Sequence, residues 1–390
     1  MLQSPQMKTR SILSLGNFFA SAHFFLIIYV ITPYLATFMP DSATGLVVSL
    51  GAIITLFAFP LMPHLVRKYG PRRLAVFFAT VEAGALAWLA VGPTPLPAIL
   101  LVALACATTP LIQYQLDLLL EATIAKEGTT GRIRTMFLTA GNVALVLSPL
   151  AVGILMDSSE AYWRVFAVAA ASLFPFIALI SMKRLPQGSH PNFINIVDAW
   201  VAILRDKDLR AVTLAHGTLQ FFYHLAPLYI PLYLHHVLEL PWEQLGWIFA
   251  IMLLPFVLLE YPAGWIADQK WGDQELLIGG FVMMASGFAA LALVTNQTTI
   301  MVIVIILIFS RIGASLVEAM SEGHFFRRVS EADASTVGLF RMTRPVAALV
   351  APIVGSIILS VSGYQLLFVA TAFIIGVIGV TSALHITDIK

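Results

Sequence analysis

The sequence predicts an all-α integral membrane protein of twelve transmembrane helices, arranged as two pseudo-symmetric six-helix halves with both termini cytoplasmic. Three observations carry that prediction: an apolar composition, a regular alternation of apolar segments with short polar connections, and a repeat that relates the two halves. Of 390 residues, 59% are apolar and 11% charged, against roughly 45–50% and about 25% in a soluble domain. At about 20 residues per crossing, that apolar content fills roughly a dozen spans. A soluble enzyme and a single-pass receptor are excluded. A formal charge of +1 also excludes a nucleic-acid partner, which needs a concentrated basic face. The single cysteine, Cys106, lies within an apolar run, so no intramolecular disulfide can form.

The first span is expected at 14–38. Its apolar run continues from Ile12 to about Met39, beyond the roughly 7–15 residues of a signal-peptide core. Charges and Pro/Gly breaks then delimit 44–66, 74–92, 97–121, 135–156 and 163–182. The connection 183–210 is polar, carries Pro186, Gly188 and Pro191, and has room for a surface helix from Asn192 to Leu204. Beyond it come 211–236, 244–266, 275–294, 300–323, 337–361 and 365–386. The expected organisation is a first bundle over 1–182, a linker over 183–210 and a second bundle over 211–390. Eighteen of the 22 basic residues fall at the termini or in even-to-odd connections, with Arg164 alone on the opposite side. The positive-inside rule places the even-to-odd side in the cytoplasm.

The repeat is read by shifting the chain against itself. Pro60, Lys68, Tyr69, Gly70 and Leu74 align without gaps on Pro262, Lys270, Trp271, Gly272 and Leu276, 202 positions on. Phe137, Ala144 and Pro149 recur as Phe340, Ala347 and Pro352, 203 positions on. The acidic pair Asp117 and Glu121 recurs as Glu318 and Glu322, 201 positions on.

With these motifs in place, the chain resembles the major facilitator superfamily over essentially its whole length. That family carries Gly-x-x-x-Asp-Arg/Lys-x-Gly-Arg-Lys/Arg after its second span and a weaker copy after its eighth. Here Lys68-Tyr69-Gly70-Pro71-Arg72-Arg73 matches the end of the first copy, while Pro63 and Arg67 stand at the glycine and aspartate positions. The second copy keeps Gly264, Asp268, Lys270 and Gly272, with one extra residue before Gly272. Arg344-Pro345 and Pro352-Ile-Val-Gly355 resemble the proline/glycine packing motifs of transporter families. The resemblance implies two bundles related by an axis along the membrane normal, a solute site between them lined by spans 1, 4, 7 and 10, and alternating access.

Ionisable groups inside spans are costly and mark functional sites by default. One set lies toward the cytoplasmic ends: Asp117, Glu121, Glu260, Asp268, Glu318, Glu322, Arg341 and Arg344. The i,i+4 spacing puts each acidic pair on one helix face. An ion-pair layer is expected there, acting as a gate or fixing helix register, with Glu318 and Glu322 as proton carriers against Arg341 and Arg344. Arg67, in place of the family aspartate, is expected to pair with Glu121 or Asp117. A second set lies near the midplane: Arg311, Gln113, Tyr114, Gln115, Asn142, Gln220, Tyr223, His224 and His23. A guanidinium there is always charged and needs an acceptor, which points to an anionic or strongly hydrogen-bonding solute or to a structural pair with Glu260. Glu82 stands alone in span 3, as a buried protonated carboxyl.

No catalytic constellation is present. His235-His236-Val-Leu-Glu239 begins a zinc pattern without its second histidine, and there is no Walker loop. The expected activity is secondary active transport of a small solute, either export of drug-like or amphipathic compounds or transport of a small polar or anionic metabolite, coupled to an ion, a proton in the first instance, by a cofactor-free, monomeric protein of the plasma membrane. A membrane sensor or a lipid-handling protein is the alternative.

Overall fold

The computed structural model describes residues 5–124, 130–157, 160–182, 185, 196–259, 262, 272–329 and 334–387. Every regular element among them is helical. In chain order these are α1 Pro5–Ile27, α2 Ile31–Ala36, α3 Asp41–Ala58, α4 Met62–Tyr69, α5 Pro71–Ala90, α6 Pro95–Ile124, α7 Thr130–Met156 and α8 Tyr162–Ser181. They continue as α9 Ile196–Arg205, α10 Lys207–Leu232, α11 Trp242–Leu258, α12 Asp273–Leu291, α13 Ile300–Arg328, α14 Ala334–Arg341, α15 Thr343–Ile374 and α16 Val380–Ala383.

Nine segments among the described residues are long and apolar enough to cross a membrane. One of them, Thr336–Ala383, has 48 residues, more than twice a single crossing. Gly363 breaks it at φ 76°, ψ −174°, a conformation open to a residue without a Cβ, so the segment holds two spans. With α10 and α11 the apolar segments among the described residues number twelve. Large apolar side chains such as Phe57, Ile154, Phe174 and Val361 are exposed, as a lipid-facing surface requires.

Helix ends follow local chemistry. Gly70 turns the chain at φ 80° between α4 and α5, and Pro71 opens α5 at its first position, where a missing N–H costs nothing. Asp206 caps α10, its carboxylate accepting from the Asp208 and Leu209 backbone N–H groups at 2.8 and 3.1 Å. The Gly272 backbone N–H donates to the Glu275 carboxylate at 3.1 Å at the start of α12.

The chain forms two compact units. The first comprises Met1–Met39, Val47–Asn192 and Leu240–Ala250; the second comprises Pro40–Leu46, Phe193–Glu239 and Ile251–Lys390. In the first, α5 packs on α6 and α8, and α1 on α7 and α8. The start of α11 belongs to this unit: a Cβ on Gly246 would stand 2.8 Å from the Gly153 Cα and from the Pro149 carbonyl oxygen. Tyr29 stacks on Phe249 at 5.0 Å between centroids.

In the second unit α12 packs on α13, and α10 on α13 and α15. Gly280 and Gly313 bring α12 and α13 into backbone contact, since a Cβ on Gly313 would lie 2.4 Å from the Gly280 carbonyl oxygen. The start of α3 belongs here. A Cβ on Gly45 would meet the Tyr229 hydroxyl at 2.3 Å, and that hydroxyl donates to the Pro352 carbonyl at 2.9 Å. Asp41 accepts from Tyr364 at 2.5 Å and lies 3.3 Å from His236 Nδ1. Pro149 and Pro352, the repeat pair, thus each mark a helix against which a glycine packs.

Candidate functional site: two polar centres

In the first unit three helices bring polar side chains to one shielded point. Glu82 on α5 is 0% exposed and His23 on α1 is 1% exposed. Glu82 Oε1 lies 3.1 Å from His23 Nε2 and accepts from the Thr109 hydroxyl of α6 at 2.5 Å. The carboxyl that reads as solitary in the sequence therefore has two partners, 59 and 27 residues away. His23 points at Glu82 inside the unit.

The rest of α6 carries a half-buried polar stripe. Gln113, Asp117 and Glu121 follow each other at i, i+4 and i+8, all of intermediate exposure, and Gln113 Nε2 donates to Asp117 Oδ1 at 3.3 Å. Tyr114 packs edge-on against Phe59. Gln115 is buried, with its amide 3.7 Å from the Met62 sulfur. Asn142 on α7 is half-buried. Arg67, Lys68 and Arg73 are exposed around the α4–α5 corner. Lys68 sits 5.1 Å from the Tyr69 ring centre, and Arg72 donates to the Met182 carbonyl at 3.5 Å.

In the second unit the polar groups form a graded series along α13. Arg311 is 3% exposed and its guanidinium lies 4.7 Å from the centre of the Phe222 ring of α10, cation–π range. One to two turns on, Glu318 is half-buried and accepts from the Tyr223 hydroxyl at 2.7 Å. Glu322 pairs with Arg344 of α15 at 3.0 Å, their side chains 39% and 52% exposed. The two glutamates share a face yet take partners from different helices. Arg341 is exposed at the end of α14. His224 Nδ1 lies 2.8 Å from the Gln220 carbonyl oxygen, and the Gln220 amide lies 3.3 Å from His216 Nε2. Glu260, Gly264, Asp268 and Lys270 lie outside the described residues.

Sequence reasoning missed two groups. His216 stacks on Phe340 at 4.3 Å. Asp273 at the start of α12 binds both His324, at 2.9 Å, and Arg327 of α13. By apolar length alone, Asp273 and His324 fall in the connections just beyond their spans. The available signal was that both helices extend past the apolar run, since Asp273 and Glu275 suit a helix N-terminus and Arg327 and Arg328 a C-terminus. Among the described residues no group of histidine, cysteine, aspartate and glutamate could hold a metal ion.

The fold is shared with solved membrane transporters. A crystal structure of the nucleoside transporter NupG superposes with a TM-score of 0.76 at 16% identity, covering 98% of this chain and 99% of that one. A bacterial homologue of the human lysosomal transporter Spinster, in an inward-facing and unoccupied conformation, gives 0.77 at 11% identity over 99% and 98%. An auto-inhibited POT family peptide transporter gives 0.78 at 12% over 97% and 98%. No curated protein sequence matches the chain. The sequence model of the Major Facilitator Superfamily matches residues 13–321 and 243–388, which together span nearly all twelve apolar segments. The chain is a multi-pass membrane protein of the Major Facilitator Superfamily, a family of solute transporters and not of enzymes.

Proposed function

We propose that the protein is a secondary active transporter that moves a small polar or anionic solute by alternating access, coupled to a proton. The observation that supports this best is the pair of half-buried polar stripes, Gln113–Asp117–Glu121 on α6 and Glu318–Glu322 on α13, on two helices long and apolar enough to cross a membrane. Polar side chains facing lipid are costly, so partly exposed stripes at span depth belong on a watered surface. Each unit carries one, at positions related by the repeat. Arg311 behind the second stripe supplies a fixed positive charge toward an anionic or strongly hydrogen-bonding solute. Glu318 and Glu322 are the gate and coupling groups, with Arg344 competing with the proton for Glu322.

In this reading 1–182 and 211–390 are the two bundles, 183–210 is their linker, and the basic connections and both termini face the cytoplasm across the plasma membrane, with the carrier working as a monomer. The neighbours named as nucleoside and peptide transporters put both solute classes into the first library. The test is thermal stabilisation of the purified protein across that library, because binding to the folded state raises the melting temperature by mass action. A hit that is lost in Arg311→Gln supports an anionic solute. Stabilisation confined to phospholipids favours lipid handling instead. Transport of the hit into liposomes with unchanged pH dependence in Glu318→Gln and Glu322→Gln removes those two residues from coupling.

A further inference from the structure

We propose that the Glu82–His23 pair in the core of the first unit is a proton-binding site, distinct from the half-buried carboxylates of the stripes. Its role in coupling rests on the transport reading above; its chemistry does not.

The geometry limits where protons can sit. Glu82 Oε1 already accepts from the Thr109 hydroxyl and faces His23 Nε2, and a neutral imidazole with Nδ1 bare must carry its hydrogen on Nε2. Two atoms of the pair have no hydrogen-bond partner among the described residues: Glu82 Oε2 and His23 Nδ1, both inaccessible. With Oε2 and Nδ1 both bare, the pair has a net charge of −1. One added proton, forming an O–H bond at Oε2 or an N–H bond at Nδ1, brings it to zero.

Other charged groups do not settle the balance. On α6 the titratable neighbour of Glu82 is the Cys106 thiol. The buried residues of α8, which also packs on α5, are Tyr162 and apolar side chains. On α4, His64, Arg67 and Lys68 are exposed. Among the described residues no guanidinium or ammonium is hydrogen-bonded to the pair.

An uncompensated charge is costly in a dry interior and tolerable in water. While the site is shielded, the pair keeps its extra proton. Once water reaches Oε2 or Nδ1, the proton can pass to a water molecule and the −1 state becomes accessible. Retention when sealed and exchange when wetted is what a coupling site in an alternating-access protein must do. Three helices meet at the pair, so a displacement of α1 or α6 against α5 is the movement that would let water reach it.

The test is pH-step infrared difference spectroscopy on the full-length protein in liposomes, where protonated and ionised carboxyl groups absorb separately. A carboxylic-acid band that grows as pH falls, is lost in Glu82→Gln and has its midpoint displaced by about one pH unit or more in His23→Asn supports the proposal. Thr109→Val, which removes one donor to Oε1 at nearly constant volume, should displace the same midpoint and serves if Glu82→Gln does not fold. A band that titrates unchanged in Glu82→Gln overturns the proposal, as does the absence of any titrating band that responds to His23→Asn or Thr109→Val; the pair is then a fixed structural contact. Solute uptake is measured separately on the same liposomes, so failure of the transport reading is visible without altering the spectral result.

Discussion

The two units handle buried polarity in opposite ways. In the first, Glu82, His23 and Thr109 converge from three helices on a point that solvent does not reach. In the second, polarity is spread along one helix, from shielded Arg311 through half-buried Glu318 to the exposed Glu322–Arg344 pair. A converged, sealed centre can hold a charge state; a graded series can hand one along. The contrast falls between halves that the sequence repeat relates, with proton retention the role proposed for the first centre and exchange with solvent the role proposed for the second series.

Mutations can break that contrast, and the largest effect is expected at the sealed centre. Glu82→Leu leaves the His23 imidazole without its partner in a dry site and should cost up to about 3 kcal/mol of unfolding free energy in mixed micelles, whereas a cost below about 1 kcal/mol would mean water already reaches the pair. Next comes the α12–α13 contact: Gly313→Val must push the two helix backbones away from each other and should cost about 1–3 kcal/mol, measured the same way, with Gly84→Ala, where a Cβ meets nothing within 4 Å, as the silent control. At the exposed end of the series, Arg344→Gln should change stability by less than about 1 kcal/mol while altering the rate or pH profile of transport. A stability loss as large as that of Glu82→Leu would erase the gradient. The smallest effect concerns the α4 corner. If Arg67 pairs with Asp117 or Glu121, Arg67→Glu should be rescued beside Asp117→Arg or Glu121→Arg by roughly 0.2–1 kcal/mol; double mutants no better than additive would rule out the pairing.

The fold was largely legible in the sequence because each span satisfies its own backbone hydrogen bonds and needs only apolar length, a local property. The stripe residues were legible for a related reason, since i,i+4 spacing fixes Asp117 with Glu121 and Glu318 with Glu322 on one face whatever surrounds them. Partners were not legible. His23 meets Glu82 across 59 residues and Asp273 meets His324 across 51, and no local pattern records which helix faces which. Glu82 therefore read as solitary, and His23 as a cavity residue or a helix-packing one with no partner named. Arg311 read as a cavity charge too, and its packing against Phe222 emerges only when α10 and α13 are brought together.

Gly153 and Gly246 leave no room for a side chain on either, and a Cβ on Gly45 would run into the Tyr229 hydroxyl and one on Gly355 into the Tyr229 ring. Residue choice at such positions cannot drift independently. Among descendants of this gene Gly153 and Gly246 should both stay glycine, since neither has a side chain to give up, whereas a larger residue at Gly355 should survive only beside a smaller one in place of Tyr229, a correlated substitution readable among sequences alone.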